Sequence, residues 1–330
     1  MNTPRPGQQL LHRSRQRGMT LVEWMVSITI GLFLLAGLAL LFQHQSGAQL
    51  ELEKSSRQIE NGRYAMQLLR NDIELAGYAG EFGGSITPPG TLPDPCAITS
   101  VDLQSGLALP VQGYDVPASP PCSTKVSYYK GGTDLLVIRR ADPEVITGSL
   151  TAGETYIQSG IKNQALTYVI DLAAGTGLPA SFDLKKKDGA SAAPVRKYLV
   201  RVYYIGTCSQ CTGSNADSIP TLRVVENGGS SQPLVEGIEN LQIDYGVDTT
   251  ADGAPDSFST DPGTVANWTN VMALRVHLLA RNNAPTGGYS DTKTYSLGLA
   301  GNTTATNDAY KRHVFSQLIR VVNPSARRDQ

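Results

Sequence analysis

A chain of 330 residues with 40% hydrophobic content has room for one large or two ordinary domains around a real core, which excludes a disordered protein. Its 28 basic and 29 acidic side chains nearly cancel. Arg5, Arg13, Arg15 and Arg17 stand in the first eighteen residues without an acid, so beyond them 28 − 4 = 24 basic residues face 29 acidic ones, a charge of −5 that makes general binding to a nucleic acid backbone an unexpected function.

Behind that basic leader, Met19 to Phe42 form a run of 24 residues in which Glu23 is the only charge. At about 1.5 Å per helical residue the run is long enough to cross the ~30 Å of bilayer hydrocarbon. The arginines precede it, so the leader is expected to stay cytoplasmic and the carboxyl-terminal bulk to be exported. A carboxylate near the start of such a segment costs roughly 2.5 to 3.5 kcal/mol on insertion scales, so Glu23 needs a partner or a purpose. Two plainer readings stand beside this one: a signal peptide cut after Ser46-Gly47-Ala48, and an anchor that is never cut. The length of the run and the acid inside it argue against the first.

No proline occurs from Gly7 to Thr87, which permits one helix from the apolar run into the polar stretch after Gln43. Leu52, Ile59, Met66 and Ile73 recur at sevens, with Leu69 and Ala76 beside them, predicting a narrow apolar stripe that packs on a sheet. Gly77 is the expected stop, because glycine supplies a left-handed cap.

Eight of the 19 prolines lie between Gly77 and Lys125 together with Cys96 and Cys122, predicting an irregular excursion. Strands are predicted at 135–140, 197–205, 221–226, 234–245, 271–281 and 313–322. In 271–281, Met272, Leu274, Val276, Leu278 and Ala280 share one face, which leaves Arg275, His277 and Leu279 outward and His277 exposed. Residues 81–193 otherwise show no assignable pattern.

The four cysteines behind an export signal suggest disulfides. They permit three pairings, of which the sequence-local one, Cys96–Cys122 with Cys208–Cys211, is expected. A redox or zinc role for Cys208-Ser209-Gln210-Cys211 lacks the βαβ context or the further ligands it would need. Asp248, Asp252 and Asp256, with Gly253, follow part of the oxygen spacing of a calcium loop, although Thr250 and Ser259 replace two of its ligands; a simple Asp/Gly/Pro turn fits the same residues. Lys185-Lys186-Lys187-Asp188-Gly189 reads as a solvated hairpin tip. No nucleophile elbow, P-loop or zinc-protease motif occurs, so catalysis has no support from motifs.

The junction Arg17-Gly18-Met19-Thr20-Leu21-Val22-Glu23-Trp24 resembles the leader junction of type IV prepilins and pseudopilins. Asn61-Gly62-Arg63-Tyr64-Ala65-Met66, Leu69-Arg70-Asn71-Asp72-Ile73 and Ala76-Gly77-Tyr78 resemble the PilW kind of minor pilin, as do Leu234 to Asp248, Trp268 and Val271 to Arg281. The apolar run lacks the helix-breaking proline of typical major pilins, which points to a minor subunit.

The resemblance implies an α+β, type IV pilin-like fold, with a long amino-terminal helix packed on an antiparallel β-sheet. It divides the chain into a cytoplasmic leader (1–18), a membrane and filament-core segment (19–42), an amphipathic continuation (43–77) and an exported β-rich domain (78–330). It also implies cleavage between Gly18 and Met19, N-methylation of Met19, and assembly roles for Thr20 and Glu23. In a filament, the free amine of Met19 on one subunit would neutralise Glu23 on the next, and breaking such a buried pair costs about 3 to 5 kcal/mol.

Implied partners are other minor pilins, the major pilin, a tip adhesin, the prepilin peptidase, the inner-membrane assembly platform and membrane lipid. No nucleic acid and no required cofactor are expected. The implied function is initiation of pilus assembly near the tip, supporting adhesion and twitching motility. A minor pseudopilin of type II secretion, or a membrane-tethered binding module or enzyme, remains the alternative.

Overall fold

The computed structural model describes residues 18–82, 84, 86–304 and 307–328, so the expected leader lies outside the described residues apart from Gly18. The chain divides into two compact units, Met1–Glu53 and Lys54–Gln330. The described part of the first is the opening stretch of helix α1, which runs from Leu21 to Glu74. Its side chains from Leu21 to Phe42 are bare, and an 18-residue window reaches a mean hydropathy of 2.5. A helix that is apolar all round needs lipid or other helices around it.

In the second unit Met66, Leu69, Ile73 and Ala76 of the predicted stripe are buried as expected, while Ile59 is not. Gln58, Gly62, Ala65, Met66, Leu69, Asp72 and Ile73 of α1 are buried, whereas Ile59 is 37% exposed and Leu52, in the first unit, 71% exposed. The reason is geometric: a straight helix drifts about 20° per heptad, so a strict seven-residue line leaves the packed face while i, i+3, i+4 spacing follows it. Gly77 adopts φ +74° just past the last helical turn, as a left-handed cap requires. Asn323 Nδ2 donates to the orphan carbonyl of Ala76 at 3.1 Å.

The remaining elements, in chain order, are α2 (Ser100–Gly106), β1 (Val111–Tyr114), β2 (Leu135–Ala141), β3 (Thr155–Lys162), β4 (Ala165–Leu172), β5 (Val195–Gly206), β6 (Thr221–Glu226), β7 (Gln232–Glu236), β8 (Ile238–Val247), β9 (Ser257–Ser259), α3 (Val265–Trp268), β10 (Val271–Arg281), β11 (Thr294–Ser296), β12 (Asn302–Thr304), β13 (Arg312–Arg320) and α4 (Val322–Arg328). All strand pairings are antiparallel. A seven-stranded sheet follows the order β1-β2-β5-β3-β4, with β6 pairing β5 and β7 pairing β6; a four-stranded sheet follows β13-β10-β8-β9.

Three expectations about the extent of the elements need correction. The run 234–245 is two strands, because Gly237 at φ +76° breaks it and the chain turns there to leave β7 on one sheet and β8 on the other. The proline-rich stretch is not wholly irregular, since it holds α2 and β1. The unassigned middle contains the hairpin β3–β4, turned by Asn163 and Gln164 at φ +51° and +63°.

One core lies under α1 and draws on both sheets. Ala65, Met66, Leu69, Ile73 and Ala76 meet Leu136 and Ile138 of β2, Tyr203 and Ile205 of β5, and Leu274, Val276, Leu278 and Ala280 of β10. A register shift between Val271 and Ala273 interrupts the alternation, so Val271 rather than Met272 joins this core. The opposite face of the seven-stranded sheet is also covered: Leu135, Val137, Val200, Val202 and Tyr204 pack with Leu103 and Leu107 from the α2 region. Two buried faces explain why β2 and β5 are apolar without alternation.

His277 corrects the outward expectation most clearly. It is 5% exposed, its Nδ1 lies 2.7 Å from Ser316 Oγ, and its Nε2 lies 3.4 Å from Asp244 Oδ2. The cover comes from beyond the strand, where Tyr295 and Leu297 pack on Leu279 and Val314. Arg312 pins that cover by donating to Asp291 Oδ2 at 3.0 Å, to Asp308 at 2.7 Å and to Glu239 at 2.5 Å.

Candidate assembly site

Thr20 and Glu23 form a capping box, the reciprocal arrangement that Thr-x-x-Glu permits at a helix start. The Thr20 amide donates to Glu23 Oε2 at 2.8 Å, the Thr20 hydroxyl donates to the same oxygen at 3.0 Å, and the Glu23 amide donates back to Thr20 Oγ1 at 3.3 Å. The carboxylate is thereby folded over the helix amino terminus, next to Gly18 and Met19 in sequence. Glu23 Oε1 accepts no hydrogen bond among the described residues. The pair therefore serves both as a helix cap and as a carboxylate with one oxygen open to a cation.

The polar side chains that follow are satisfied locally. Ser27 Oγ donates to the Glu23 carbonyl and Thr29 Oγ1 to the Met25 carbonyl, each at 2.7 Å. Such back-bonding lets hydroxyls lie in an apolar setting without unpaired donors.

The cysteine pairs are Cys96–Cys122 and Cys208–Cys211. The first closes the proline-rich segment; the second ties the turn after β5, where Arg223 Nη1 donates to the carbonyls of Cys208 and Ser209 at 3.0 and 3.1 Å. Asp94, Cys96 and Cys122 place potential ligand atoms within 4.8 Å of one another, but both sulfurs are already in a disulfide and offer no thiolate.

Asp248, Asp252 and Asp256 hold turns together. Asp248 accepts amides of Thr250, Ala251 and Gly253 at 3.1, 2.6 and 2.9 Å. Asp256 accepts the Thr249 and Thr250 amides at 2.7 and 3.0 Å, and Asp252 accepts the Ala254 amide at 2.9 Å. Their carboxylate oxygens do not converge on a common point within the 4.8 Å that brings the Asp94 group together. Lys185 to Gly189 form an exposed tip closed by Asp188, whose Oδ1 accepts the Ala190 and Ser191 amides at 2.8 and 2.9 Å.

Sequence reasoning missed two features. The Thr-x-x-Glu cap was visible in the residues but obscured by their role at the leader junction. The buried acid Asp72 had no local signal, since its cations lie far along the chain: Arg140 Nε at 2.6 Å and Arg201 Nη1 at 3.0 Å, with Tyr203 Oη donating at 2.8 Å.

A long apolar amino-terminal helix packed on antiparallel sheets is an α+β, pilin-like fold. Residues 13–39 match the family model described as prokaryotic N-terminal methylation motif, and residues 202–323 match the model described as Type IV Pilus-assembly protein W. No curated protein and no solved structure matches the chain. Over those residues the chain is similar to PilW type IV pilus-assembly proteins and to prepilins that carry the N-terminal methylation motif.

Proposed function

We propose that the protein is a minor pilin that helps start filament assembly near the pilus tip and thereby supports adhesion and twitching motility. Before assembly it sits in the inner membrane as a single pass, with its leader in the cytoplasm and its carboxyl-terminal domain exported. The peptidase cuts between Gly18 and Met19, and Met19 is methylated. Glu23 then receives the Met19 amine of a neighbouring subunit, which sets the register of the packed helices.

The observation that carries this reading is the capping box itself: it holds the Glu23 carboxylate at the new amino terminus with Oε1 open. A mobile carboxylate in lipid would snorkel to water, whereas a capped one stays at a fixed depth. Other minor pilins, the major pilin and a tip adhesin are its partners in assembly. The test is Glu23→Ala in cells that make pili: membrane insertion and cleavage are retained and surface pili are lost. Normal piliation by this variant would refute the register role.

A further inference from the structure

The strand β13 is an open edge of the four-stranded sheet and differs from the other edges of the described residues. The edges β1 and β9 are four and three residues long. The edge β7 contains Pro233, which lacks a donor, and a register irregularity in its pairing with β6. On the edge strand β4, the Ile170 carbonyl is taken by Gln104 of α2 at 3.1 Å. Each of these devices blunts an edge against further pairing. By contrast, β13 runs nine residues, Arg-His-Val-Phe-Ser-Gln-Leu-Ile-Arg, with no proline, glycine or shift of register.

Its backbone polarity follows from the two ends of the ladder. The Val321 amide donates to the Met272 carbonyl, and the Asn282 amide donates to the Lys311 carbonyl. Antiparallel pairing alternates, so odd-numbered residues face β10 while Val314, Ser316 and Leu318 direct both N–H and C=O to the open side. No backbone partner takes those groups among the described residues, and Leu318 is 58% exposed. Alongside runs a groove of about 640 Å³ between β13 and the helix residues Arg63, Met66, Gln67 and Arg70. Arg70 is paired with Glu74, whereas Arg63 has no ion-pair partner among the described residues.

We propose that β13 accepts an added β-strand from a different exported pilus component, one that sets a carboxylate against Arg63. The alternating unpaired donors and acceptors fit an extended main chain and no compact ligand. A second copy of β13 is a poor occupant, because the strand carries two arginines and a histidine and no acid to meet Arg63. The partner is thus a strand-bearing subunit of opposite charge. This inference rests on the pilus-assembly reading and names the class of its partner.

The test places photoreactive benzoylphenylalanine at position 318 of the full chain in piliated cells and maps the crosslinked peptide by mass spectrometry. The expected adduct is to an extended, acid-containing segment of another exported protein. Ser316→Pro removes an outward donor and leaves the backbone bonds to β10, so adduct and surface pili should fall by roughly two- to tenfold, the loss that one hydrogen bond's free energy implies. Ser316→Ala loses the same hydroxyl bond to His277 but keeps the outward amide, so it should retain adduct and pili and thereby isolate the backbone donor. If Ser316→Pro fails to accumulate in the membrane, Arg63→Glu replaces it and should give the same loss. Adducts only to another copy of this chain, or wild-type adduct and pili in Ser316→Pro or its substitute, overturn the proposal. Pili that persist in Glu23→Ala would instead refute the assembly reading on which it stands.

Discussion

Asp72 on α1 and Arg140 on β2 form a buried ion pair, with Oδ1 and Nε 2.6 Å apart and both side chains under a tenth exposed. The pair fastens the helix to the seven-stranded sheet. Arg201 and Tyr203 complete the shell around the acid, so its lone pairs are engaged and the charge is compensated.

Removing Asp72 leaves Arg140 buried without an anion, which typically costs about 3 to 5 kcal/mol. Asp72→Ala should therefore lower the stability of the detergent-solubilised chain by that amount in urea unfolding. The Lys162–Asp183 pair, with both side chains half exposed, is the control. Asp183→Ala should cost no more than about 1 kcal/mol, because exposed pairs are screened and entropically expensive.

Asp134 joins the two sheets: its Oδ1 accepts the Val116 amide at 3.1 Å and its Oδ2 accepts the Ile243 amide of β8 at 2.8 Å. Burial pushes this carboxyl up from 3.8 to about 7, against those two hydrogen bonds and with help from Asp115 and Asp244. Between these values the folded protein holds a proton that the unfolded chain has released. Its contribution is thus fully present below pH 4 and declines as pH rises to about 7, beyond which it is flat. Thermal melting followed from pH 4.5 to 7.5 should show this decline, and Asp134→Asn should flatten it.

Gly62 lets the helix approach β13, since a Cβ there would lie 2.1 Å from Phe315 Cε2. The gain in helix propensity from alanine is about 1 kcal/mol, while overpacking costs typically about 1 to 3 kcal/mol. Gly62→Ala should consequently be net destabilising. Trimming the ring with Phe315→Leu in the same chain should recover part of the loss, a coupling that a double-mutant cycle measures.

Calcium should leave the melting temperature unchanged. Asp248 and Asp256 are committed to turn amides, and a bound ion would have to displace those bonds. A ligand at 100 times its dissociation constant stabilises by about 2.7 kcal/mol, so a clear rise in millimolar calcium that chelator reverses would identify a bound ion.

The residues disclose some of this architecture and conceal the rest for physical reasons. The strands β2, β5, β6 and β10 are legible because burial on both faces demands long apolar, β-branched runs. The hairpin β3–β4 is hidden because Gln158 and Ser159 are buried polar residues and its turn uses Asn163 and Gln164 instead of glycine. Gln158 is satisfied by Leu184 and Ala193, at 3.0 and 2.9 Å, partners that no local pattern reveals. His277 looked solvent-facing because strand periodicity carries no information about a cover supplied by residues near 295–299. At the amino terminus the reverse holds. The charge, spacing and apolar length that make Glu23 informative are all local, as is the cap that holds it.

The central claim is that Glu23 belongs to a processed junction and meets the amine created there. Intact mass spectrometry of the amino-terminal peptide, taken from membranes and sheared pili, tests it most directly. The account predicts a chain beginning at Met19 and carrying one methyl group on its amine. A chain beginning at Gln49 would show ordinary signal cleavage, and one beginning at Met1 an uncut anchor; either result would contradict it.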